Sequence, residues 1–190
     1  DKDPPVGFEL TAFAASISVP GVLEGRGYLE MNNDPFEMKG MIDVSLVPVK
    51  MRIAAGLAVA QIPESHGGPQ TGVAITIEVN LPVAIPLANS GFGIYGFLGL
   101  FAMHFARDEE GINSLTPALI WLKERAGGNP TNLAAWKPNV DHWAFGVGAI
   151  LGTMEGGIIF NMKGVVMLEL PGPRLLLIMK ANLLAIMPQL

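Results

Sequence analysis

The sequence contains no cysteine, which excludes disulfide bridges, iron–sulfur clusters and thiol chemistry. Charge is also scarce, because 15% of the 190 residues are Asp, Glu, Lys or Arg, against about 25% in an ordinary soluble domain. The 12 basic residues form no basic run and the net charge is −5, which argues against nucleic acid as a partner. Half of the residues are hydrophobic, a composition that excludes a disordered chain.

One long segment without charge raises the question of a membrane span. Residues 79–106 contain no Asp, Glu, Lys or Arg, and they are numerous enough to cross a bilayer. Two prolines and four glycines interrupt the segment, which argues against a membrane-spanning helix. We therefore leave membrane contact open and expect no transmembrane helix.

Alternation of hydrophobic and polar residues predicts an antiparallel β-meander. In residues 35–47, Met38 and Ile42 share one face whereas Glu37 and Lys39 share the other, as in a half-buried strand. The segment 92–106 fits either a strand or a helix with a small-residue stripe, and its aromatic residues favour the strand. The other predicted strands cover about 7–19, 23–31, 49–61, 71–81, 143–152, 158–168 and 175–187.

Turn signals between these strands predict their pairing register. A turn at residues 33–34 sets Leu29 opposite Met38, and it also sets two acidic pairs face to face, Glu24–Asp43 and Glu30–Glu37. Three further turns predict the registers of other hairpins. Val47-Pro48 sets Asp43 against Arg52 among other pairs, Met154-Glu155 sets Leu151 against Ile158, and Pro171-Gly172-Pro173 sets Glu169 against Arg174.

Residues 107–140 are predicted to form a helical insertion between two strands. Thr116 is a candidate N-cap, Pro117 suits the first helical position, and Gly127 stands where a helix ends. A shorter helical turn is predicted at 131–136.

These elements predict an all-β fold, a curled antiparallel meander of about nine long strands with a helical insertion near 112–136. Nine such strands form either a barrel-like or an open sheet. We expect one β-rich domain over residues 1–190, complete or a piece of a longer chain. Its edge strands favour self-association or pairing with neighbouring domains.

The sequence offers weak candidates for catalysis. Residues 91–96 match G-x-G-x-x-G, but no βαβ unit is predicted there, so we interpret them as glycines of a curved strand. The three histidines lack metal-binding spacing, and we expect neither a metal site nor a cofactor. A dispersed serine–histidine–aspartate set stays open, and its candidates are His104, His142, Asp141 and Ser114. The sequence does not decide whether the chain is an enzyme, and we lean against it.

Acidic side chains on one face of two adjacent strands suggest a second kind of site. A glycosidase uses two carboxylates on either side of a glycosidic bond. The acidic residues Glu24, Glu30, Glu37 and Asp43 share this face with the basic residues Arg26, Lys39 and Arg52. A solvated surface of mixed charge is therefore the stronger interpretation.

Methionines gather on the apolar side of the predicted strands. Methionine fills irregular gaps in a core and also suits adaptable apolar binding surfaces. Core packing is one interpretation, and a groove for a lipid-like ligand is the other. The predicted ligand-binding residues are Met38, Met51, Phe145, Phe160, Met162 and Met179.

Three glycine-rich runs, 94–101, 146–152 and 160–164, resemble segments of very large, uncharacterised bacterial β-rich proteins that carry a domain of unknown function. The resemblance covers about residues 71–188 and implies a module of a longer chain, with no catalytic residues. We therefore expect a structural or interaction module of a larger bacterial surface or secreted assembly, with an extracellular or cell-surface location. The alternatives are a carrier of an apolar ligand and a hydrolase of unfamiliar type.

Overall fold

The computed structural model describes residues 12–66, 68–154 and 159–184, and these form nine antiparallel strands in one sheet. The strands lie side by side in chain order, so the predicted all-β antiparallel meander is confirmed. The sheet is open, with β1 and β9 as its two edges. The strands are β1 (Ala12–Val19), β2 (Leu23–Asn33), β3 (Phe36–Leu46), β4 (Met51–Ile62), β5 (Gln70–Pro86), β6 (Phe92–Arg107), β7 (Trp136–Thr153), β8 (Phe160–Leu170) and β9 (Arg174–Leu183).

The ambiguous segment 92–106 is a strand, since it forms most of β6 and pairs with β5 on one side and β7 on the other. Aromatic side chains fit a pleated surface, whereas four glycines would weaken a helix. In the part of the chain that the structure describes, no helix is long and apolar enough to cross a membrane.

The helical insertion lies between β6 and β7. An α-helical turn, Pro117–Ile120, continues as a π-helical turn, Trp121–Arg125, and a 3-10 turn follows at Leu133–Ala135. Pro117 begins the helix as predicted, and Gly127 follows its end with a φ of 61°. The predicted side-chain cap of Thr116 is not made.

The predicted register of β2 with β3 is wrong by two residues. Leu29 faces Gly40, not Met38. Proline cannot donate to a ladder, so the turn centres one residue later and leaves Pro35 outside the paired strands. The two predicted acidic pairs disappear as a result, and opposite charges face each other instead in the pairs Arg26–Asp43 and Glu30–Lys39.

Two other hairpins also have longer connections than the turn signals suggest. Residues 47–50 separate β3 from β4, so Asp43 faces Ala54 and reaches Arg52 only diagonally. Leu151 faces Met162 and not Ile158, because β7 continues to residue 153 and β8 begins at residue 160. The predicted turn residue Met154 lies at the end of the described segment, and Glu155 lies outside the described residues.

The last hairpin has the predicted register, with Glu169 opposite Arg174. Each register error elsewhere is an even number of residues. An even shift moves a strand along its partner but leaves every side chain on the same face. The predicted assignment of residues to the two faces of these hairpins is therefore correct despite the register errors.

One side of the sheet, here called the core face, carries the main core. A row of four alanines crosses β4 to β7 and consists of Ala58, Ala74, Ala102 and Ala144. Their small side chains leave room for the insertion, and Trp121 and Trp136 belong to the same buried cluster. The indole N–H of Trp121 donates a 2.7 Å hydrogen bond to the carbonyl of Ala135, which satisfies its buried donor.

The sheet curls towards the core face over β4 to β9. Nζ of Lys163 on β8 is 2.8 Å from Oε2 of Glu78 on β5, although two strands lie between them. Leu176 and Ile178 of β9 pack against the buried cluster that includes Ala58 of β4. Flat strands about 4.8 Å apart would not allow the contact between Lys163 and Glu78.

Candidate functional site

The catalytic candidates His104 and Asp141 meet where the pairing of β6 with β7 shifts register. The backbone N–H of Asp141 donates a hydrogen bond of 2.9 Å to Nδ1 of His104. Both residues have positive φ angles, 54° and 61°. The imidazole of His104 thus accepts the hydrogen bond of a backbone N–H that the irregular ladder leaves unpaired, which is a structural role.

The other catalytic candidates make different contacts, although His142 directly follows Asp141 in the chain. Nδ1 of His142 is 3.0 Å from the carbonyl oxygen of Val140. Ser114 Oγ accepts a hydrogen bond from the N–H of Thr116 in the insertion. Within the described residues no hydrogen bond joins Ser114 to either histidine, so this structure does not assemble the four candidates into one catalytic set.

The glycines of residues 91–96 belong to a turn and a strand. Gly91 has a φ of 73° in the turn before β6, and Gly93 and Gly96 lie within β6. A Cβ atom at Gly96 would lie 2.5 Å from the carbonyl oxygen of Val79, so close backbone approach requires glycine there. A dinucleotide site needs a helix after these glycines, and β6 takes that place.

Two of the acidic residues of β2 and β3 form ion pairs: Glu37 is 2.7 Å from Lys39, and Asp43 binds two arginines. Arg52 donates two hydrogen bonds of 2.7 Å to the carboxylate of Asp43, and Arg26 donates a third of 3.3 Å. The hydrogen bonds from Arg52 lower the pKa of Asp43, although burial opposes this shift. Among the described residues, no three His, Asp or Glu side chains form a group that could hold a metal ion.

Arg107 is the centre of a buried ion-pair cluster beside a polar pocket of about 280 Å³. Its side chain is 2% exposed and binds both Glu169 and Glu109. Burial opposes the charge of Arg107, but the hydrogen bonds and negative charges of the two glutamates outweigh burial and raise its pKa. The guanidinium also lies 5.2 Å from the ring centre of Trp121. These charges satisfy one another, which indicates that the cluster joins the insertion to the sheet.

The other side of the sheet, here called the apolar face, continues across all nine strands. Successive register pairs define a row through its middle, here called the central row: Ala15, Gly27, Ile42, Ala55, Ile77, Gly99, Val147, Val166 and Leu177. No Asp, Glu, Lys or Arg stands in this row. Large apolar side chains of the face are exposed in every one of the nine strands except β2.

The β1–β5 part of the apolar face contains a groove of about 700 Å³. Gly25, Gly27 and Gly40 form much of its floor, since they have no side chains to fill the space. Ile17 and Ile42 are among the larger side chains at its sides. Volume and lining fall within the usual range of sites for apolar ligands.

The β6–β9 part of the apolar face projects outward instead. Val147 is 69% exposed and Leu177 is 63% exposed. The curl towards the core face makes this part convex, because Lys163 and Glu78 meet on the other side of the sheet. We call it the projecting half.

The six predicted ligand-binding residues share the apolar face but do not form one pocket. They are distributed over β3, β4, β7, β8 and β9, and none of them lines the groove. The six are Met38, Met51, Phe145, Phe160, Met162 and Met179. Phe145 packs instead in an aromatic cluster, with ring centres 5.6 Å from Phe101 and 6.4 Å from Trp143.

Sequence reasoning missed the residues that line the groove. It placed Gly25 and Gly27 on the apolar face but gave them no role. The available signal was the spacing of small residues at alternate positions in β2, since such residues leave a depression between larger neighbours. The predicted register set Gly40 opposite Gly27, whereas the structure sets it opposite Leu29.

No family model, no curated protein and no solved structure matches this chain.

Proposed function

We propose that this chain is an interaction module, and that its apolar face binds protein within a larger β-rich assembly. The observation that carries the proposal is the central row, which crosses nine strands without a charged side chain. Monomeric proteins rarely expose apolar patches beyond a few hundred Å². A continuous exposed apolar face therefore favours a binding role.

The extent of the face supports the same proposal. Nine strands about 4.8 Å apart, with about ten residues each at about 3.3 Å per residue, span roughly 1,400 Å². Burial of apolar surface contributes about 25 kcal/mol for each 1,000 Å² before the costs of association. Covering this face is thus a large favourable term. The resemblance to large bacterial β-rich proteins supports an extracellular or cell-surface assembly.

A test compares two substitutions at one projecting position. Leu177→Lys places a charge on the apolar face, whereas Leu177→Met keeps a side chain of similar length without charge. We expect the wild-type chain and Leu177→Met to form a discrete oligomer by native mass spectrometry without detergent. Leu177→Lys should weaken that oligomer at least tenfold. A wild-type monomer, or equal oligomers in all three proteins, would overturn the proposal.

The groove favours a second candidate function, a carrier of a lipid-like ligand. The volume of about 700 Å³ and the apolar lining are the supporting observations. Ala55 lines the groove and Ala149 lies on the same face outside it. A carrier should bind a fluorescent fatty acid, and Ala55→Trp should reduce that binding tenfold or more while Ala149→Trp leaves it unchanged. Equal binding by both variants would exclude the groove as the ligand site.

A further inference from the structure

We propose that the polar pocket beside Arg107 binds one neutral sugar ring of a saccharide. The pocket has a volume of about 280 Å³ and lies at the end of the sheet where β6 and β8 end and β7 and β9 begin. It shares no lining residue with the groove and contains no residue of the central row. The inference is therefore independent of the proposed function, and either one can fail without the other.

The charges of the pocket favour a neutral ligand. Three carboxylates and three basic side chains line it, so its formal charge is zero when the imidazole of His142 is neutral. A bound anion would meet the carboxylates and a bound cation would meet the basic groups, whereas a neutral polar ligand meets neither cost. The six charged residues are Glu109, Glu110, Glu169, Arg107, Lys137 and Arg174.

Opposite charges in the pocket lie at distances that suit a hydroxyl group between them. Nη1 of Arg174 is 3.7 Å from one carboxylate oxygen of Glu109 and 3.9 Å from one of Glu169, too far for a direct hydrogen bond. Polar groups at such distances are commonly bridged by a third oxygen. A hydroxyl group is a suitable bridge, because it donates to a carboxylate and accepts from a guanidinium. A sugar presents several such hydroxyl groups in a fixed arrangement.

Two further polar side chains of the pocket keep unused hydrogen-bonding capacity. The amide of Asn139 makes no hydrogen bond to any described residue. Nδ1 of His142 is 3.0 Å from the carbonyl oxygen of Val140, which leaves Nε2 as an acceptor without a partner among the described residues. Both belong to the four residues 139–142 of β7 that have only His104 opposite them in β6. Such an irregular ladder redirects side chains, and here it places two of them at the pocket.

The size of the pocket and its aromatic lining also fit a sugar ring. A volume of 280 Å³ holds about nine water molecules at about 30 Å³ each, and a hexose displaces a similar volume of water. Trp143 contributes to the lining. A sugar ring has apolar C–H faces besides its hydroxyl groups, and an aromatic side chain offers a flat apolar surface for such a face.

Saturation-transfer difference NMR tests the full chain with the methyl glycosides of glucose, galactose, mannose and N-acetylglucosamine. We expect at least one of them to bind at millimolar concentration. Asn139→Ala and Arg174→Met should each weaken that binding at least tenfold, because each removes a polar group that the pocket offers to the ligand. The matched controls Asn89→Ala and Lys180→Met should bind like the wild type, since both residues are exposed and lie outside the pocket.

Thermal melting separates a loss of binding from a loss of structure. Asn139→Ala should melt at the wild-type temperature, since the amide of Asn139 makes no hydrogen bond to any described residue. Weaker binding by Asn139→Ala and Arg174→Met, with an unchanged melting temperature for Asn139→Ala, supports the sugar site.

Three outcomes would overturn the proposal. If none of the four glycosides binds the wild-type chain, the pocket is not a sugar site. Equal binding by the wild type, Asn139→Ala and Arg174→Met would place the sugar elsewhere on the chain. Inorganic phosphate and free glycine serve as charged probes. If one of them binds, loses its binding in Arg174→Met, and no glycoside binds, the pocket takes a charged ligand instead.

Discussion

Substitutions in the ion pair between Lys163 and Glu78 test how much this contact across the curled sheet stabilises the fold. The two side chains are 24% and 10% exposed and their charged atoms lie 2.8 Å apart. With an effective dielectric constant of about 20, the attraction is about 6 kcal/mol before desolvation of both groups is subtracted. Oε1 of Glu78 has no hydrogen-bond partner among the described residues, so Lys163 is its main compensation.

Removing the charge of Lys163 and removing the charge of Glu78 should therefore lower the free energy of unfolding by different amounts. Lys163→Met leaves a buried carboxylate without its partner and should lower the free energy of unfolding by about 3–4 kcal/mol. Glu78→Gln should cost about 1–2 kcal/mol, because the more exposed Lys163 can turn its ammonium group towards water. The double variant should lose at least about 1.5 kcal/mol less than the sum of the two single losses.

Urea unfolding followed by tryptophan fluorescence measures these values, since Trp121 and Trp136 are buried in the core. Lys180→Met is the matched control, because Lys180 faces Lys163 across β8 and β9 and its side chain is exposed. The control should change stability by no more than about 0.5 kcal/mol. Strictly additive losses, or equal losses in Lys163→Met and Lys180→Met, would refute the role of the ion pair.

Three further predictions concern other charges and one close backbone approach. Asp43→Asn should cost about 1–3 kcal/mol at pH 7. Because hydrogen bonds from Arg52 lower the folded pKa of Asp43, this difference should begin to shrink below the unfolded pKa of about 3.9 and should be lost only below the lower folded pKa; a constant difference in acid titrations would contradict it. Gly148→Ala should lower the melting temperature through a clash worth about 1–3 kcal/mol with the carbonyl of Gly164. Gly164→Ala should leave the melting temperature unchanged, because its new Cβ would meet no atom closer than 3.8 Å. Equal melting temperatures for the two variants would count against this contact. Arg107→Met should cost about 1.5–3 kcal/mol in urea unfolding, because Glu109 and Glu169 lose their short contacts and keep only Arg174 at 3.7 and 3.9 Å; a loss below about 1 kcal/mol would show that the cluster is dispensable.

The strands were predictable because alternation is a local property. Residues 92–106 show the strength of this signal, since their aromatic side chains indicated a strand where the glycines allowed a helix. The helix start at Pro117 was also local, because proline suits the first turn of a helix. The catalytic candidates were not predictable in the same way. His104 meets Asp141 through a backbone N–H at an irregular point of the ladder, which residue types alone do not reveal.

The candidate site was predictable as a face but not as a groove or a projection. Alternation placed Met38 and Phe145 on one apolar face, and the structure keeps them there. The groove depends on the sizes of side chains from β1 to β5 together, which alternation along single strands does not report. The projecting half depends on the curl towards the core face, to which no local pattern corresponds.

The sequence by itself determined the fold class, the number of strands and the face of each side chain wherever alternation is unbroken, because these follow from a period of two along single strands. The register shifts of β6 with β5 and β7 interrupt that period. The sequence also determined the register of β8 with β9, because the turn at Pro171-Gly172-Pro173 sets Glu169 opposite Arg174. The tertiary structure decided the other registers, the open sheet and its curl. Those features depend on contacts such as Lys163–Glu78, which joins residues 85 positions apart in the chain. A register shift of two residues keeps apolar residues opposite apolar ones, so alternation does not distinguish the two registers, and only the two acidic pairs counted against the predicted one.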